Sequence, residues 1–228
     1  MIELHFSPTP NGLKVQLCLE ELALPYRLLP ISLSRGEQFS PAFTAMSPNQ
    51  KIPVIVDQSP AAGTEPVTVF ESGAILLYLA RKTGRLMPVD PLAALEAEQW
   101  LFWQMSALGP MAGQAGYFRV YAPEPVPFAV ARYTRELTRL YGVLDKRLAG
   151  REFIAGEAIS ITDIACFPWI VPHAAHGQDL ASFPNLARWF AAIGARPTTR
   201  RTYDGVMDVY ATSGPPVASQ RRLHATAL

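Results

Sequence analysis

Two short segments place hydroxyl and amide side chains where the sequence predicts that helices begin. Thr9 and Asn11 lie in the segment SPTPNG (7–12), a cluster of turn and helix-capping residues that ends a short apolar run. Ser72 follows Glu71 at the start of another apolar helical pattern, where we expect it to be the N-cap. Because the N-terminus of a helix favours negative charge, these side chains could hold an anion. Taken alone, each of them is better explained as a plain helix cap.

Other site chemistries find little support in the sequence. Cys18 and Cys166 form neither a CxxC pair nor a disulfide framework, which is typical of a reducing compartment and predicts a cytoplasmic protein. Both lie in apolar helical patterns, so we expect them to be small buried hydrophobic residues. The four histidines lack metal-ligand spacing and no phosphate-binding loop is present, so neither a metal nor a nucleotide cofactor is predicted.

The composition excludes several classes of partner. A chain of 228 residues is longer than one typical domain, and two domains are expected. Hydrophobic residues make up 49% and charged residues 17%, which permits a sizeable core and argues against disorder. A net charge of +1 gives no general attraction to nucleic acid or to an anionic membrane. The N-terminus has no secretory-signal pattern, and no apolar run approaches the roughly 20 residues that span a bilayer.

The first third of the chain has the order βαβ followed by ββα. Apolar runs bounded by turn residues predict strands over 2–6, 26–31, 51–57 and 67–70, with helices after the first and the fourth. The third strand opens at Ile52-Pro53, a position where proline costs no ladder hydrogen bond. Glycine and proline between 83 and 92 mark a linker, which assigns residues 1–83 to the first domain.

The rest of the chain predicts an all-helical domain over 92–210, followed by a tail over 211–228. A break between helices is expected at Gly109-Pro110. The segment from Trp100 to Trp103 is apolar around much of its helix, and a contact between subunits is one way to cover it. Ser160 and Asp163 have the spacing of a capping box at the start of a later helix.

Five motifs, in this order, resemble the soluble glutathione S-transferase superfamily and, within it, the bacterial Nu-class branch. They are SPTPNGLKV (7–15), SPNQKIPVIVD (47–57), FESGAILLYLA (70–80), WLFWQ (100–104) and LGPM (108–111). The resemblance covers residues 1 to about 210. It implies an α/β plus all-α protein, in which a thioredoxin-like N-terminal domain precedes a helical C-terminal domain. It also implies a homodimeric enzyme that reduces disulfides with glutathione.

The resemblance assigns residues that would hold glutathione. Ser72 would bind the γ-glutamyl carboxylate at the start of its helix, and Glu71 would bind the free amine. Ile52, held by Pro53, would pair its backbone with the glutathione cysteine like an added strand. In the superfamily this Ile-Pro bond is cis.

Three further contacts follow from the same resemblance. Gln38 and Lys51 are ordinary loop residues by composition, and only the resemblance makes them glutathione contacts, with Gln38 the stronger candidate. Arg132 matches a second contact, where a guanidinium can clamp a carboxylate, although a solvated helix arginine is the alternative. Trp169 is expected to pack in the core rather than to bind substrate.

Thr9 and Asn11 take a specific role in the resembled branch, where they point hydrogen-bond donors at the glutathione sulfur. A hydroxyl or amide donor at a helix start stabilises thiolate over thiol and so lowers the pKa of the thiol. Ser7 is a rival because it lies on the same turn. The resemblance therefore implies catalytic roles for Thr9 and Asn11.

Three functions are open at this point. The first is reduction of small disulfides by a bound glutathione thiolate, with a second glutathione resolving the mixed disulfide. The second is a transferase or peroxidase that directs the same thiolate at electrophiles or hydroperoxides. The third, a non-catalytic scaffold, is disfavoured because Ile52-Pro53 and Glu71-Ser72 are intact.

Overall fold

A computed structural model of the protein describes residues 1–61 and 63–204. Four strands form one mixed sheet in the order β2-β1-β3-β4, with β2 parallel to β1 and the other two pairs antiparallel. The strands are β1 (Ile2–Phe6), β2 (Tyr26–Pro30), β3 (Val54–Asp57) and β4 (Val67–Phe70). The predicted βαβ-ββα order is confirmed. The third strand begins at Val54, later than predicted, since Pro53 has no N–H to donate to a ladder.

The described residues of this first part form three α-helices: α1 (Pro10–Leu22), α2 (Pro41–Met46) and α3 (Ser72–Thr83). The start of α1 packs tightly on the turn that follows β1. A Cβ added at Gly12 would stand 2.2 Å from the carbonyl oxygen of Ser7, so only glycine lets the helix approach so closely. This contact fixes the first turn of α1 against the end of the strand.

The remaining elements are helical. They are α4 (Pro91–Trp103), α5 (Gly109–Gly116), α6 (Pro127–Arg147), α7 (Ile161–Ile170), α8 (Pro184–Gly194) and α9 (Pro197–Tyr203). The helical prediction is confirmed up to residue 204, whereas 205–210 and the predicted tail over 211–228 lie outside the described residues.

The break predicted at Gly109-Pro110 is wrong. The chain stays helical there, because a π-helical turn over Gln104–Leu108 joins α4 to α5. The amide of Gly109 donates to the carbonyl of Gln104, five residues back. Pro110 supplies no N–H, and the wider turn carries the helix past it. Single π turns inside helices are frequent at functional sites, and this one presents Gln104 and Met105 toward the first domain.

One continuous hydrophobic cluster runs through both parts of the chain, from Ile2 in β1 to Tyr203 in α9. Helix α1 packs against α3 of its own domain and against α7 and α9 of the helical part. An ion pair adds to this contact: Arg196 binds Glu21 through two hydrogen bonds of 2.7 Å. Helix α1 is therefore held from both domains, with the ion pair at its last turn.

The capping box predicted at the start of α7 is confirmed. Ser160 is the N-cap and accepts a hydrogen bond from the amide of Thr162, and Asp163 accepts one from the amide of Ser160. Asp163 is fully buried and also accepts from Ile154 and Trp189. This carboxylate thus joins a loop, a helix start and α8.

No helix in the described part of the chain is long and apolar enough to cross a membrane.

Candidate functional site

Thr9 caps α1 and keeps a proton to donate. Its hydroxyl oxygen accepts a 3.4 Å hydrogen bond from the amide of Gly12. A hydroxyl can accept and donate at once, and among the described residues no acceptor takes the Thr9 proton. Capping and donation to a ligand are therefore compatible at this residue.

Asn11 lies in the first turn of α1 and is oriented by a distant tryptophan. The indole Nε1 of Trp169 donates a 3.1 Å hydrogen bond to Oδ1 of Asn11. An indole N–H can only donate, so the carboxamide must turn its oxygen toward Trp169. Its NH2 group is thereby directed elsewhere with two donors to offer. Trp169 also packs against the hydrophobic core, as expected, but the sequence did not indicate its contact with Asn11.

Ser7, the rival on the same turn, has its hydroxyl engaged. It is buried, and Oγ donates a short hydrogen bond to the carbonyl of Ile31. A hydroxyl has one proton, so Ser7 cannot donate to a thiolate while it keeps this bond. The geometry favours Thr9 and Asn11 as the donors at this turn.

The start of α3 differs from the expectation in one respect. The N-cap residue is Glu71, and Ser72 is the first helical residue. Glu71 has φ 70° and ψ 118°, a conformation that costs free energy for any residue with a Cβ and that clusters at functional sites. Ser72 is buried, and its hydroxyl oxygen accepts a 3.4 Å hydrogen bond from Lys14. The prediction of Ser72 as N-cap was thus wrong by one residue.

The Ile52–Pro53 bond is cis. No backbone hydrogen bond involves Ile52 in the part of the chain that the structure describes. Its N–H and C=O are therefore compatible with pairing to an extended peptide.

Gln38 and Lys51 lie on connecting segments and differ in burial. Gln38 is 5% exposed in a 3-10 turn, and its Oε1 has no hydrogen-bond partner within the described residues. A buried oxygen without a donor is uncommon and is explained when a ligand supplies one. The side chain of Lys51 is exposed. The structure thus gives Gln38 the stronger reason to contact a ligand.

Arg132 lies apart from these residues, on α6. It lines a cavity of the helical domain together with Met111, Tyr133, Arg135, Glu136 and Arg139. Arg139 is held by Glu136 through hydrogen bonds of 2.9 and 2.6 Å. Among the described residues, Arg132 has no ion-pair partner and no hydrogen bond to the first domain. The cavity is suited to a carboxylate, but the structure does not place Arg132 in contact with Asn11 or Ser72.

Sequence reasoning missed Lys14 and Gln104. Lys14 is 1% exposed, and its Nζ donates a 2.8 Å hydrogen bond to Oε1 of Gln104. A lysine flanked by Leu13 and Val15 within an apolar stretch of α1 was the available signal. Because Lys14 also donates to Ser72, these two residues connect α1 and the start of α3 to the π turn of the helical domain.

Both cysteines are free and fully buried. Burial raises the pKa of the Cys18 thiol and of the Cys166 thiol, which suppresses the reactive thiolate. The expectation that they behave as buried hydrophobic residues is confirmed. Within 1–61 and 63–204, no group of three His, Cys, Asp or Glu residues has the arrangement of a metal site.

We expect the double variant Cys18→Ala/Cys166→Ala to keep most of the glutathione-dependent disulfide reductase activity that the resemblance implies. Neither thiol is accessible to solvent. If the cycle uses only the sulfur atoms of glutathione, the two substitutions remove no reacting group. Two small cavities should lower the free energy of unfolding modestly. Turnover of a small disulfide by the purified variant is the measurement, with circular dichroism to verify folding. A folded variant without turnover would place a protein thiol in the cycle.

Family models match both parts of the chain. The glutathione S-transferase N-terminal domain matches residues 2–81 and the glutathione S-transferase C-terminal domain matches residues 110–197. The chain therefore belongs to the glutathione S-transferase family. Among curated relatives, it is similar to the Escherichia coli disulfide-bond oxidoreductase YfcG, with 50% identity over 87% of this chain and 93% of that protein. It also matches the Escherichia coli disulfide-bond oxidoreductase YghU, with 39% identity over 88% of this chain and 73% of that protein.

Solved structures with bound glutathione resemble the fold closely. A glutathione transferase family member from Pseudomonas fluorescens, with two glutathiones bound, has a TM-score of 0.83 and 43% identity and covers 88% of this chain and 91% of its own. A glutathione transferase from Pseudomonas putida, with one glutathione disulfide bound per subunit, has a TM-score of 0.84 and 40% identity over 89% of this chain and 90% of its own.

Proposed function

We propose that this protein is an enzyme that reduces small disulfides with glutathione. The observation that carries the proposal is the start of α1, where the hydroxyl of Thr9 and the amide of Asn11 both retain donors beside a helix N-terminus. The buried state of Cys18 and Cys166 supports it, because a redox cycle then needs sulfur from outside the chain. The names of the two Escherichia coli relatives support the same reaction.

The reaction balances with two glutathiones. The thiolate of the first glutathione, stabilised by Thr9 and Asn11, attacks one sulfur of the substrate disulfide. A glutathione–substrate disulfide forms as the original S–S bond breaks, and the leaving thiolate takes a proton. A second glutathione thiolate then attacks the glutathione sulfur of the mixed disulfide and releases the second substrate thiol. Two glutathiones are oxidised to glutathione disulfide, and one substrate disulfide is reduced to two thiols.

The remaining contacts of the first glutathione are assigned to the start of α3 and to the cis-proline segment. Ser72 binds the γ-glutamyl carboxylate, and Glu71 binds the amine. Ile52, positioned by Pro53, pairs with the cysteine backbone of glutathione. Gln38 and Lys51 complete the set, and Arg132 serves the second tripeptide.

Two activity assays and one binding measurement test the function together. Purified protein is offered hydroxyethyl disulfide and, separately, an aryl chloride, each with glutathione, while binding of oxidised glutathione is measured by calorimetry. Disulfide turnover well above aryl-halide conjugation is expected. Conjugation without disulfide turnover would favour a transferase, and the absence of both activities together with absent binding would leave a scaffold.

Arg132→Ala is expected to weaken oxidised glutathione more than reduced glutathione, because only the former carries a second tripeptide for the α6 cavity. Ser72→Ala should weaken both ligands by similar factors, since each contains a γ-glutamyl carboxylate for α3. Calorimetric dissociation constants for the two ligands make the comparison. Arg200→Ala, which removes an exposed arginine of α9, is the charge-matched control. Equal effects of Arg132→Ala on both ligands would remove Arg132 from the second site.

Further assignments concern organisation. We place the protein in the Nu class and propose a homodimer, supported by apolar side chains exposed on α4, where Leu92 is 76% and Phe102 is 62% exposed. A cytoplasmic location agrees with two free cysteines. Residues 1–83 are proposed as the glutathione-binding domain and residues 92–210 as the helical domain.

A further inference from the structure

Lys14 is a buried lysine without an acidic hydrogen-bond partner. Its Nζ donates to Oε1 of Gln104 at 2.8 Å and to Oγ of Ser72 at 3.4 Å, and lies 3.7 Å from Sδ of Met105. It also lies 5.9 Å from the centre of the Trp169 ring. No ion pair of Lys14 is present among residues 1–61 and 63–204. All of its close contacts are therefore neutral.

A buried ammonium without a counter-charge is costly. Burial lowers the pKa of Lys14 to about 7, although the negative charge of Glu71 acts in the opposite direction. Among the described residues, the Cys166 thiol on α7 is the second titratable group that acts on Lys14, and burial keeps it neutral. Of the groups that act on Lys14, Glu71 is thus the one with a formal negative charge. An anion that binds beside Ser72 would supply another.

The hydrogen bond to Ser72 connects Lys14 to the proposed ligand. Because Lys14 donates into Oγ of Ser72, the serine must direct its own proton elsewhere. In the free protein this proton reaches Sδ of Met105 at 3.7 Å, and a thioether is a weak acceptor. A carboxylate at the start of α3 is a far better acceptor for the same proton. Binding would therefore complete the chain Lys14–Ser72–carboxylate.

We propose that Lys14 is a positioning residue that acts through Ser72 as the counter-charge for the γ-glutamyl carboxylate of glutathione, so that binding takes up a proton at Lys14. The inference rests on the proposed glutathione site but not on disulfide chemistry. The bound anion favours the ammonium form, which raises the pKa of Lys14 above its value in the free protein. With a pKa of about 7, part of the free protein lacks this proton at pH 7, so binding takes up a fraction of a proton there.

The pH dependence follows from the same linkage. Below about pH 6, Lys14 is protonated before binding, and the affinity should not depend on its titration. As the pH rises through 7, the free protein loses the proton that the complex retains, so the affinity falls. This decline should end near the higher pKa of the complex.

The test uses S-methylglutathione, whose thioether cannot ionise. Calorimetric titrations at pH 7 in phosphate and in imidazole, buffers with different ionisation enthalpies, give the number of protons taken up. The wild-type protein is expected to take up a measurable fraction of a proton per site. Lys14→Met should remove this uptake, flatten the dependence of the dissociation constant on pH between 6 and 8, and weaken binding at pH 6 on the order of tenfold. Lys146→Met, at an exposed lysine of α6, is the control and should behave as wild type.

Each outcome decides the proposal. Zero proton uptake by the wild-type protein would overturn it without any variant, and so would unchanged uptake in Lys14→Met. If Lys14→Met does not fold, Lys14→Arg keeps a permanent charge and is expected to bind without proton uptake. Uptake by Lys14→Arg equal to that of the wild type would also overturn the inference. Failure of S-methylglutathione to bind would reject the glutathione site itself, whereas binding without uptake would reject only the role of Lys14.

Discussion

Asn11→Ala should lower disulfide reductase turnover roughly 30- to 900-fold, a barrier increase of about 2 to 4 kcal/mol if the amide resembles an oxyanion-hole donor. The physical reason is the orientation of the carboxamide. Trp169 holds its oxygen at 3.1 Å, so the NH2 group is fixed in advance and needs no reorganisation when thiolate charge develops. Turnover of hydroxyethyl disulfide at saturating glutathione measures the effect.

Stability should change much less than turnover in Asn11→Ala. The variant loses one hydrogen bond to a half-buried indole, worth about 1 kcal/mol of the free energy of unfolding. Thr9→Ala tests the second donor and should also cost about 1 kcal/mol as a lost cap. Ser7→Ala is the matched comparison on the same turn, where the hydroxyl is committed to Ile31. Wild-type turnover in both Asn11→Ala and Thr9→Ala, with loss of turnover in Ser7→Ala, would transfer the role to Ser7.

Asp163→Asn is expected to lower the free energy of unfolding by about 3 to 5 kcal/mol, more than Asn11→Ala or Thr9→Ala. Oδ1 accepts from the amide of Ile154 and from the indole of Trp189, both at 2.9 Å. Oδ2 accepts from the amide and the hydroxyl of Ser160, both at 3.0 Å. Whichever way the carboxamide turns, its NH2 group faces donors that have lost their acceptor in a fully buried site.

Urea denaturation monitored by circular dichroism measures this loss. Asp90→Asn is the matched control, because Asp90 caps α4 at an exposed position through the amide of Ala93, and asparagine caps equally well. Its free energy of unfolding should stay within about 0.5 kcal/mol of the wild type. Equal midpoints for Asp163→Asn and the wild-type protein would mean that the network around α7 does not carry the stability assigned to it.

The sequence determined the order of the elements and the segments that carry the site. For two strands, Ile2–Phe6 and Val67–Phe70, the bounds predicted from the apolar runs agree with the structure at both ends. Alternation and turn residues are local signals, so they can be read from the sequence. The capping box at Ser160 and Asp163 is local in the same sense. Prediction from the local sequence was wrong at two helix boundaries. The chain stays helical through Gly109-Pro110 because a π turn precedes it, and the N-cap of α3 lies one residue earlier than expected.

Only the tertiary structure decided how the candidate residues are oriented. Trp169 reaches Asn11 across 158 positions of sequence, and Gln104 reaches Lys14 across 90. A pattern in one segment carries no information about which distant polar side chain will meet it in the core. The hydroxyl of Ser7 was likewise excluded as a donor by the carbonyl of Ile31, which the parallel pairing of β1 and β2 brings alongside. Sequence therefore identified the residue types at the helix starts, and long-range packing fixed which of their protons and lone pairs remain for a ligand.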